Sequence, residues 1–459
     1  MKKAIIKSVS ILLVFLLTFS VSVSADTSKS YTIVSPYEDV IWSGDGAWSA
    51  YKGNLHTHST ISDASVDNYD MIMEYYRQGF DFLAMTDHAV TGKEWNEVPN
   101  SIPLYWYQYI IGNKVTYLTD EEYEAVTTGT YPVDGVARGY GMTCVAGGNE
   151  LNGLTITKDH VNGMFMPTYA GNNYLGFEND YEGAVSLCDY YGGISFINHP
   201  GDRINSAGNR AACSDPDTVN YMADILLRYD SCIGMEVFNE LNHTTPYDRD
   251  LWDNLLMTCL PYGKNVIAFS NSDAHTLDRV DATFSVFMME ENTVENIKET
   301  MQSGSFFCVT RCLREDPDKF GPDTELDAAN QGLAYPMFNN ISVDGHKITV
   351  SFNEANNLMW VANGNVIAEV DYEQTSDYNT YTIDLDTIEG SEDFLYVRCQ
   401  LIGEGGVTLT QAFTIDDGTE PLTYERDESF SAVLTRIGRQ ILGLRIFVLF
   451  KLIIDKIFG

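Results

Sequence analysis

The chain has 459 residues, with 28 lysines and arginines against 65 aspartates and glutamates, giving a formal net charge of −37. So acidic a surface excludes general binding to nucleic-acid polymers, or to anionic membranes by the body of the protein, because both need clustered positive charge. An apolar content of 44% and an aromatic content of 12% exclude a disordered chain, and the length allows roughly two or three domains.

Taken in order, the chain opens with Lys2, Lys3 and Lys7, an apolar run from Ile11 to Phe19, and small residues at Val23-Ser24-Ala25. This is the pattern of a signal peptide over residues 1–25, and it predicts a secreted or extracellular protein. Residues 45–312 then alternate apolar runs with helical patterns. Phe80–Met85, Met142–Ala146, Gly193–Ile197, Ile233–Phe238 and Asn265–Ser270 read as buried strands. Tyr69–Gly79, Tyr181–Tyr191, Val219–Tyr229, Arg249–Leu260 and Val294–Ser303 read as helices. Such alternation implies an α/β domain with a parallel sheet, either open or closed into a barrel. Residues 89–141 interrupt the rhythm with an insertion that could serve as a lid or be a plain surface excursion. Thr119 and Glu122 within it are spaced for a capping box.

Residues 313–336, rich in Asp, Pro and Gly, read as a linker. From 337 to 418 the pattern becomes two-residue alternation, as in Ile348–Phe352, Asn365–Val370, Tyr381–Leu385 and Leu395–Cys399, with turn signals at Asp344-Gly345 and Asn363-Gly364. This predicts a small all-β sandwich. Residues 430–459 read as a basic, hydrophobic C-terminal helix, carrying Arg436, Arg439, Arg445, Lys451 and Lys456 against Asp455. A helix from Ile441 to Phe458 would be about 27 Å long, but charges at Arg445, Lys451 and Asp455 would each cost about 2.5–3.5 kcal/mol near a bilayer centre. An interfacial helix, associating the protein with a membrane surface or cell wall, is expected instead; the alternative is a helix docked on the protein itself. The eight cysteines include no Cys-x-x-Cys pair, which removes support for a thiolate zinc site, and most sit in apolar stretches suited to buried free thiols.

Only eight histidines occur, and five of them lie at the ends of expected strands beside acidic residues. His56-x-His58, with Asp63 shortly after, places two imidazoles on one side of an extended segment. Asp87-His88 follows Phe82–Met85, and Glu150 follows Val145–Gly148. His199-Pro200 follows Ile194–Ile197, Glu236 lies within Ile233–Phe238, and Asp273-x-His275 closes the strand ending at Ser270. A lone His-x-His is more often structural than ligating. Six groups at the carboxyl ends of six successive strands are a different matter, since that face is where βα folds build their sites. Neutral imidazoles mixed with carboxylates suit zinc, manganese or iron, and the absence of thiolates points to a catalytic site with open positions. His160, His243 and His346 match no motif: His346 reads as a surface residue, and His160 and His243 precede loops that could overhang the pocket, although an incidental role is the expected one.

This ordered series resembles the PHP (polymerase and histidinol phosphatase) metallohydrolases over roughly residues 51–311. Asn54–Ser59 and Ser272–His275 look most like the exported CehA/McbA-like branch. The resemblance implies a distorted (β/α)7 barrel holding two or three divalent ions. It implies that His56, His58, Glu150 and Asp273 hold one ion, and that Glu150 bridges to a second near His199 and Glu236. Asp63, His88 and His275 would hold a third. Asp87 is expected to orient a ligating imidazole from behind.

The chemistry expected of such a site is metal-assisted hydrolysis of a small phosphoester, with Arg203 and Arg279 as candidate phosphate clamps through the bidentate guanidinium fork. Two alternatives stand beside it: hydrolysis of a carboxylic or carbamate ester on the same site, and a non-catalytic cell-surface binding protein that has kept the scaffold.

Overall fold

The computed structural model describes residues 31–88, 90–99, 115–152, 159–170, 181–240, 245–311, 313–314, 323–324, 332–431 and 433–434. The expected signal peptide, His243, Cys312 and the C-terminal helix beyond residue 434 lie outside the described residues, as do parts of the insertion and the linker.

The chain begins with β1 (Thr32–Val34), β2 (Ser49–Asn54), α1 (Asn68–Arg77) and β3 (Phe82–Leu83). The insertion contributes α2 (Asp120–Thr128), and β4 (Thr143–Cys144), β5 (Asn149–Leu151) and β6 (Val161–Met164) follow it. Next come α3 (Tyr181–Tyr190), β7 (Ile194–Ile197), α4 (Pro216–Arg228), β8 (Cys232–Asn239), α5 (Asp248–Cys259) and β9 (Ile267–Asn271). β10 (Thr283–Met289), α6 (Val294–Ser303) and β11 (Phe306–Thr310) complete the first domain.

Local chemistry accounts for the helix boundaries. The Asp67 side chain accepts from Tyr69 N at the start of α1, Asp215 accepts from Thr218 N ahead of Pro216, and Thr293 accepts from Asn296 N. The expected capping box forms on α2, with Thr119 N donating to Glu122 Oε2 at 2.9 Å and Glu122 N to Thr119 Oγ1 at 3.2 Å. Each cap satisfies backbone donors that the helix leaves unpaired. α4 turns Val219, Met222, Ala223, Ile225 and Leu226 inward at helical spacing, against a core shared with Phe196, Phe238 and Phe269.

The strands divide into two sheets around the site. In one, β10 lies between antiparallel neighbours β2 and β11, and β2, β3 and β4 run parallel. In the other, of order β9-β8-β7-β6-β5, β9, β8 and β7 are parallel, but β6 is antiparallel to both β7 and β5. Among the described residues, the backbone bridges that link the two sheets are isolated parallel ones, Thr57 with Ala274 and His88 with Glu150. The expected (β/α)7 barrel is therefore corrected: the architecture is mixed α/β, and no closed barrel forms among the described residues. Backbone pairing gives way at both seams, where His56–His58, His88 and Asp273–His275 lie beyond the ends of their strands and Glu150 lies within β5. Close approach there demands small residues. A Cβ on Gly53 would stand 1.9 Å from the Phe82 ring, and Gly147 turns with φ +83° against the Met166 carbonyl.

The β-rich segment comprises β12 (Met337–Asp344), β13 (Lys347–Asn353), β14 (Asn357–Ala362), β15 (Asn365–Asp371), β16 (Asn379–Asp384), β17 (Tyr396–Gly403), β18 (Gly406–Leu409) and β19 (Phe413–Asp416). β12, β13 and β16 form their own small sheet. β18, however, pairs antiparallel with β11 of the first domain, Cys308 opposite Leu409 and Thr310 opposite Val407. One sheet thus runs through both parts. This explains why β17, which alternates like a half-buried strand, is buried at almost every position. Its polar side chains face the first domain. Arg398 donates to both oxygens of Asp253 at 2.8 Å, Tyr396 Oη donates to Asp253 Oδ1 at 2.5 Å, and Arg249 donates to Gln400 at 3.1 Å. Gln411 closes the same interface by accepting from Ala268 N and donating to Ala268 O.

The seven described cysteines are free and buried. His346 lies at the surface, stacked on Tyr31 at 3.9 Å and paired with Asp386 at 2.7 Å.

The buried pair at the interface carries a stability prediction. Asp253→Ala would strand the Arg398 guanidinium, a loss of about 3–5 kcal/mol. Denaturant unfolding of the variant against the parent chain measures it, and a change below about 1 kcal/mol would show that the pair is not needed.

Candidate metal centre

β2 delivers His56 and His58 just past its end, and Asn54 fixes that exit. Its side chain donates to His56 O at 2.7 Å and accepts from Ser272 N at 2.8 Å, across the seam between the sheets. Asp273 N donates to His56 O at 2.9 Å, and His58 N to Ala274 O at 3.1 Å. The two strand ends are therefore bound backbone to backbone, which puts Asp273 beside both histidines. His199 (φ +26°) and Asp273 (φ +46°) hold backbone conformations that non-glycine residues rarely adopt. Such outliers persist only where the surroundings impose them.

The side chains converge. His56 Nε2 and His58 Nε2 lie 3.2 Å apart, and each is 3.2 Å from Asp273 Oδ1. Donors bound to one zinc-like ion at about 2.0–2.2 Å stand roughly 3.0–3.5 Å from each other, so this triangle has the dimensions of a ligand set. Asp273 Oδ1 is buried and accepts no hydrogen bond, as expected for an oxygen reserved for a cation. Glu150 is shared more widely. Its Oε1 lies 3.2 Å from His56 Nε2, 3.1 Å from His160 Nδ1 and 3.4 Å from His199 Nε2. Its Oε2 lies 3.0 Å from both His58 Nε2 and His88 Nδ1. At the outer side, Asp63 is 3.3 Å from His275 Nε2 and 3.5 Å from His88 Nε2. Four groups could each hold an ion: His56-Glu150-His199, His56-His58-Asp273, His58-Asp63-His275 and His58-His88-Glu150. His56, His58 and Glu150 are sealed from solvent, whereas Asp63 and His275 keep 29% and 33% of their side-chain surface exposed. The centre opens on that side.

Charge follows this geometry. Burial alone would strip His56 and His58 of protons, but Asp273, Glu150 and other carboxylates overcome it and hold both imidazoles well above their ordinary values. His199 is likewise pushed up to about 9, against burial, by Glu150, Asp273 and Glu236. His160 is held below its ordinary value, chiefly by burial. Glu150, Asp63 and Asp273 stay ionised in spite of burial because imidazoles surround them. Without ions, protons on His56, His58 and His199 balance the carboxylates; divalent cations would take over that role.

Not every expected residue takes the place assigned to it. Glu236 was expected as a ligand; instead it lies behind the cluster. Its Oε1 faces His56 Nδ1 at 2.9 Å and accepts from Asn271 Nδ2 at 3.0 Å. Its Oε2 accepts from His199 N at 3.0 Å and Asn239 Nδ2 at 2.9 Å. Asp87 contacts the turn after His58, accepting from Ser59 N at 2.8 Å, Ser62 N at 3.0 Å and both hydroxyls. Ser62 Oγ in turn lies 3.2 Å from His58 Nδ1, so Asp87 acts on that imidazole one link removed. Arg203 is paired with Asp159 and packs near the Tyr181 and Tyr221 rings, and Arg279 is paired with Asp278 at 3.7 Å. Both guanidinium groups expected as phosphate clamps thus carry carboxylate partners.

His160, which matches no sequence motif, is part of the cluster. His160 stands immediately before β6. Because β6 runs antiparallel to its neighbours, the residue just before it reaches the rim that the other strands reach with their last. The signal present in the sequence was Asp159-His160 ahead of Val161–Met164.

No family model and no curated protein matches the chain. Among solved structures, it is similar to a two-domain protein from Bacteroides vulgatus containing a predicted PHP-like metal-dependent phosphoesterase, with 17% identity, a TM-score of 0.39, and coverage of 80% of this chain and 96% of that one. A lesion-specific endonuclease from Pyrococcus furiosus follows at 15% identity and a TM-score of 0.31, covering 60% and 69% of the two chains. An amidohydrolase from Chromobacterium violaceum stands at 14% and 0.27, covering 49% and 87%. These likenesses are too distant to carry an argument about function, which therefore rests on the geometry.

The centre makes a prediction about pH. In the ion-free protein, the raised His199 supports the fold fully below its ordinary value of 6.5, and that support is lost as pH rises through about 9. In chelator, the melting temperature should therefore fall between pH 6.5 and 9. With excess manganese or zinc it should hold or rise, because ligation needs unprotonated imidazole. Identical profiles with and without metal would count against the site.

Proposed function

We propose that the chain is an exported metal-dependent hydrolase of the PHP type, acting on small phosphoesters. The observation that carries this reading is Glu150, whose two oxygens face different sets of imidazoles, as a carboxylate shared between neighbouring ions would. His56, His58 and Asp273 would hold one divalent ion; Glu150, His199 and His160 would hold a second; Asp63, His88 and His275 would complete a third position. Zinc, manganese and iron suit these donors. When bound, such ions lower the pKa of a water and neutralise charge at a phosphoryl oxygen. The protein's own residues would do the rest. Asp87, through Ser62, and Glu236 hold His58 and His56 in place. The sealed inner wall excludes bulk water. The partly exposed Asp63 and His275 mark where substrate enters.

The strongly acidic surface supports a small substrate over a nucleic-acid polymer. Export and attachment to a membrane surface or cell wall rest on Lys2–Ala25 and on the basic residues after Arg436. No helix among the described residues is long and apolar enough to cross a membrane. One observation favours the second reading, hydrolysis of a carboxylic or carbamate ester. Arg203 and Arg279 are already paired, so the attraction for a phosphate would fall to the ions alone.

A panel of phosphomonoesters, phosphodiesters and aryl carboxyesters, assayed with manganese or zinc, separates the two. Phosphoester turnover is expected, and it should fall by about 10³-fold or more in the His56→Ala/His58→Ala double variant. Turnover confined to carboxyesters would select the second reading. Activity unaffected by the double variant would overturn both.

A further inference from the structure

Glu236 is a carboxylate with no exposed surface and four protein neighbours, two on each oxygen. Three of those neighbours, the main-chain N–H of His199 and the amide groups of Asn239 and Asn271, can only donate. Their presence makes the carboxylate an acceptor, so His56 Nδ1 is the fourth donor. This leaves His56 Nε2 as the atom turned to the ligand triangle. The same carboxylate grips the His199 backbone, where φ is +26°. Asn239 Nδ2 also reaches Asp273 Oδ2 at 3.3 Å, joining Glu236 to a third candidate ligand.

Resting on the metal-dependent reading above, we propose that Glu236 is a positioning residue that serves two metal positions at once. It fixes the tautomer of His56 for one and the main chain of His199 for the other. Asn239 is its link to Asp273. A carboxylate behind a ligating imidazole orients the ring and strengthens it as a donor, and loss of such a partner typically lowers metal affinity about 10–100-fold. Glu236 would act on both positions, because one side chain supports a ligand of each.

Calorimetric titration of manganese and of zinc into the metal-stripped full chain tests this. In Glu236→Gln, one acceptor becomes an NH₂ group facing donors, and affinity should fall at least about 10-fold for both of the tighter sites. In the reconstituted enzyme, kcat should fall while KM changes less than about twofold, since Glu236 touches no substrate. Asn239→Ala, which keeps the carboxylate, should weaken binding by a smaller factor. It also serves as the test if Glu236→Gln does not fold, as judged by circular dichroism. Unchanged metal affinity in the folded variants overturns the proposal, as does loss at one site only. His58→Ala separates the two ideas: if it too leaves metal binding unchanged, the metal-dependent reading itself fails.

Discussion

Five imidazoles crowd one buried carboxylate. Glu150 could not remain ionised away from water without nearby positive charge, and the histidines could not be buried so densely without nearby negative charge. Each half of the cluster is tolerable only because of the other. The surrounding structure reads as what is needed to hold them together. Asn54 and Asn271 tie strand ends across the seam, Ser59 and Ser62 wrap on Asp87, and Asn198 donates to Glu150 at 2.8 Å. These amides and hydroxyls carry no charge, so they fix positions without disturbing the electrostatic balance.

The seams between the sheets have the same origin. Continuous ladder pairing would keep backbone N–H and C=O groups engaged with each other and leave side chains at fixed pleat positions. Where the ladder stops, single bridges suffice, and the freed backbone takes up an unusual angle at Asp273. Side chains from both sheets can then meet. Strain at these points is small beside the cost of separating the charges.

Much of this was legible in the sequence. Helices appear within a few residues of where their periodicity and caps place them, because α1, α4 and α6 are specified locally by Asp67, Asp215 and Thr293. The ligand-like residues stand where apolar runs end in His, Asp or Glu, a one-dimensional signal. Strand direction was not legible. Nothing in Val161–Met164 says that β6 runs against its neighbours, and so the sequence does not show that His160 joins the cluster. Nor could the sequence separate an oxygen facing an ion from one facing an imidazole nitrogen. Glu236 differs from Glu150 only in what the other strands bring to it. The pairing of Arg398 with Asp253 was hidden for a similar reason: alternation in β17 looks the same whether the polar face meets water or another part of the protein.

The sheet shared by the two parts of the chain also has a protective side. β18 covers the outer edge of β11, a strand made of Phe306, Phe307, Cys308, Val309 and Thr310 that is buried throughout. Left without its neighbour, that strand would present a row of unpaired amides and carbonyls bordered by aromatic side chains, the kind of edge on which other chains assemble. The β-rich segment can thus be seen as a shield that the first domain carries on its own polypeptide, keeping this apolar strand edge out of solution.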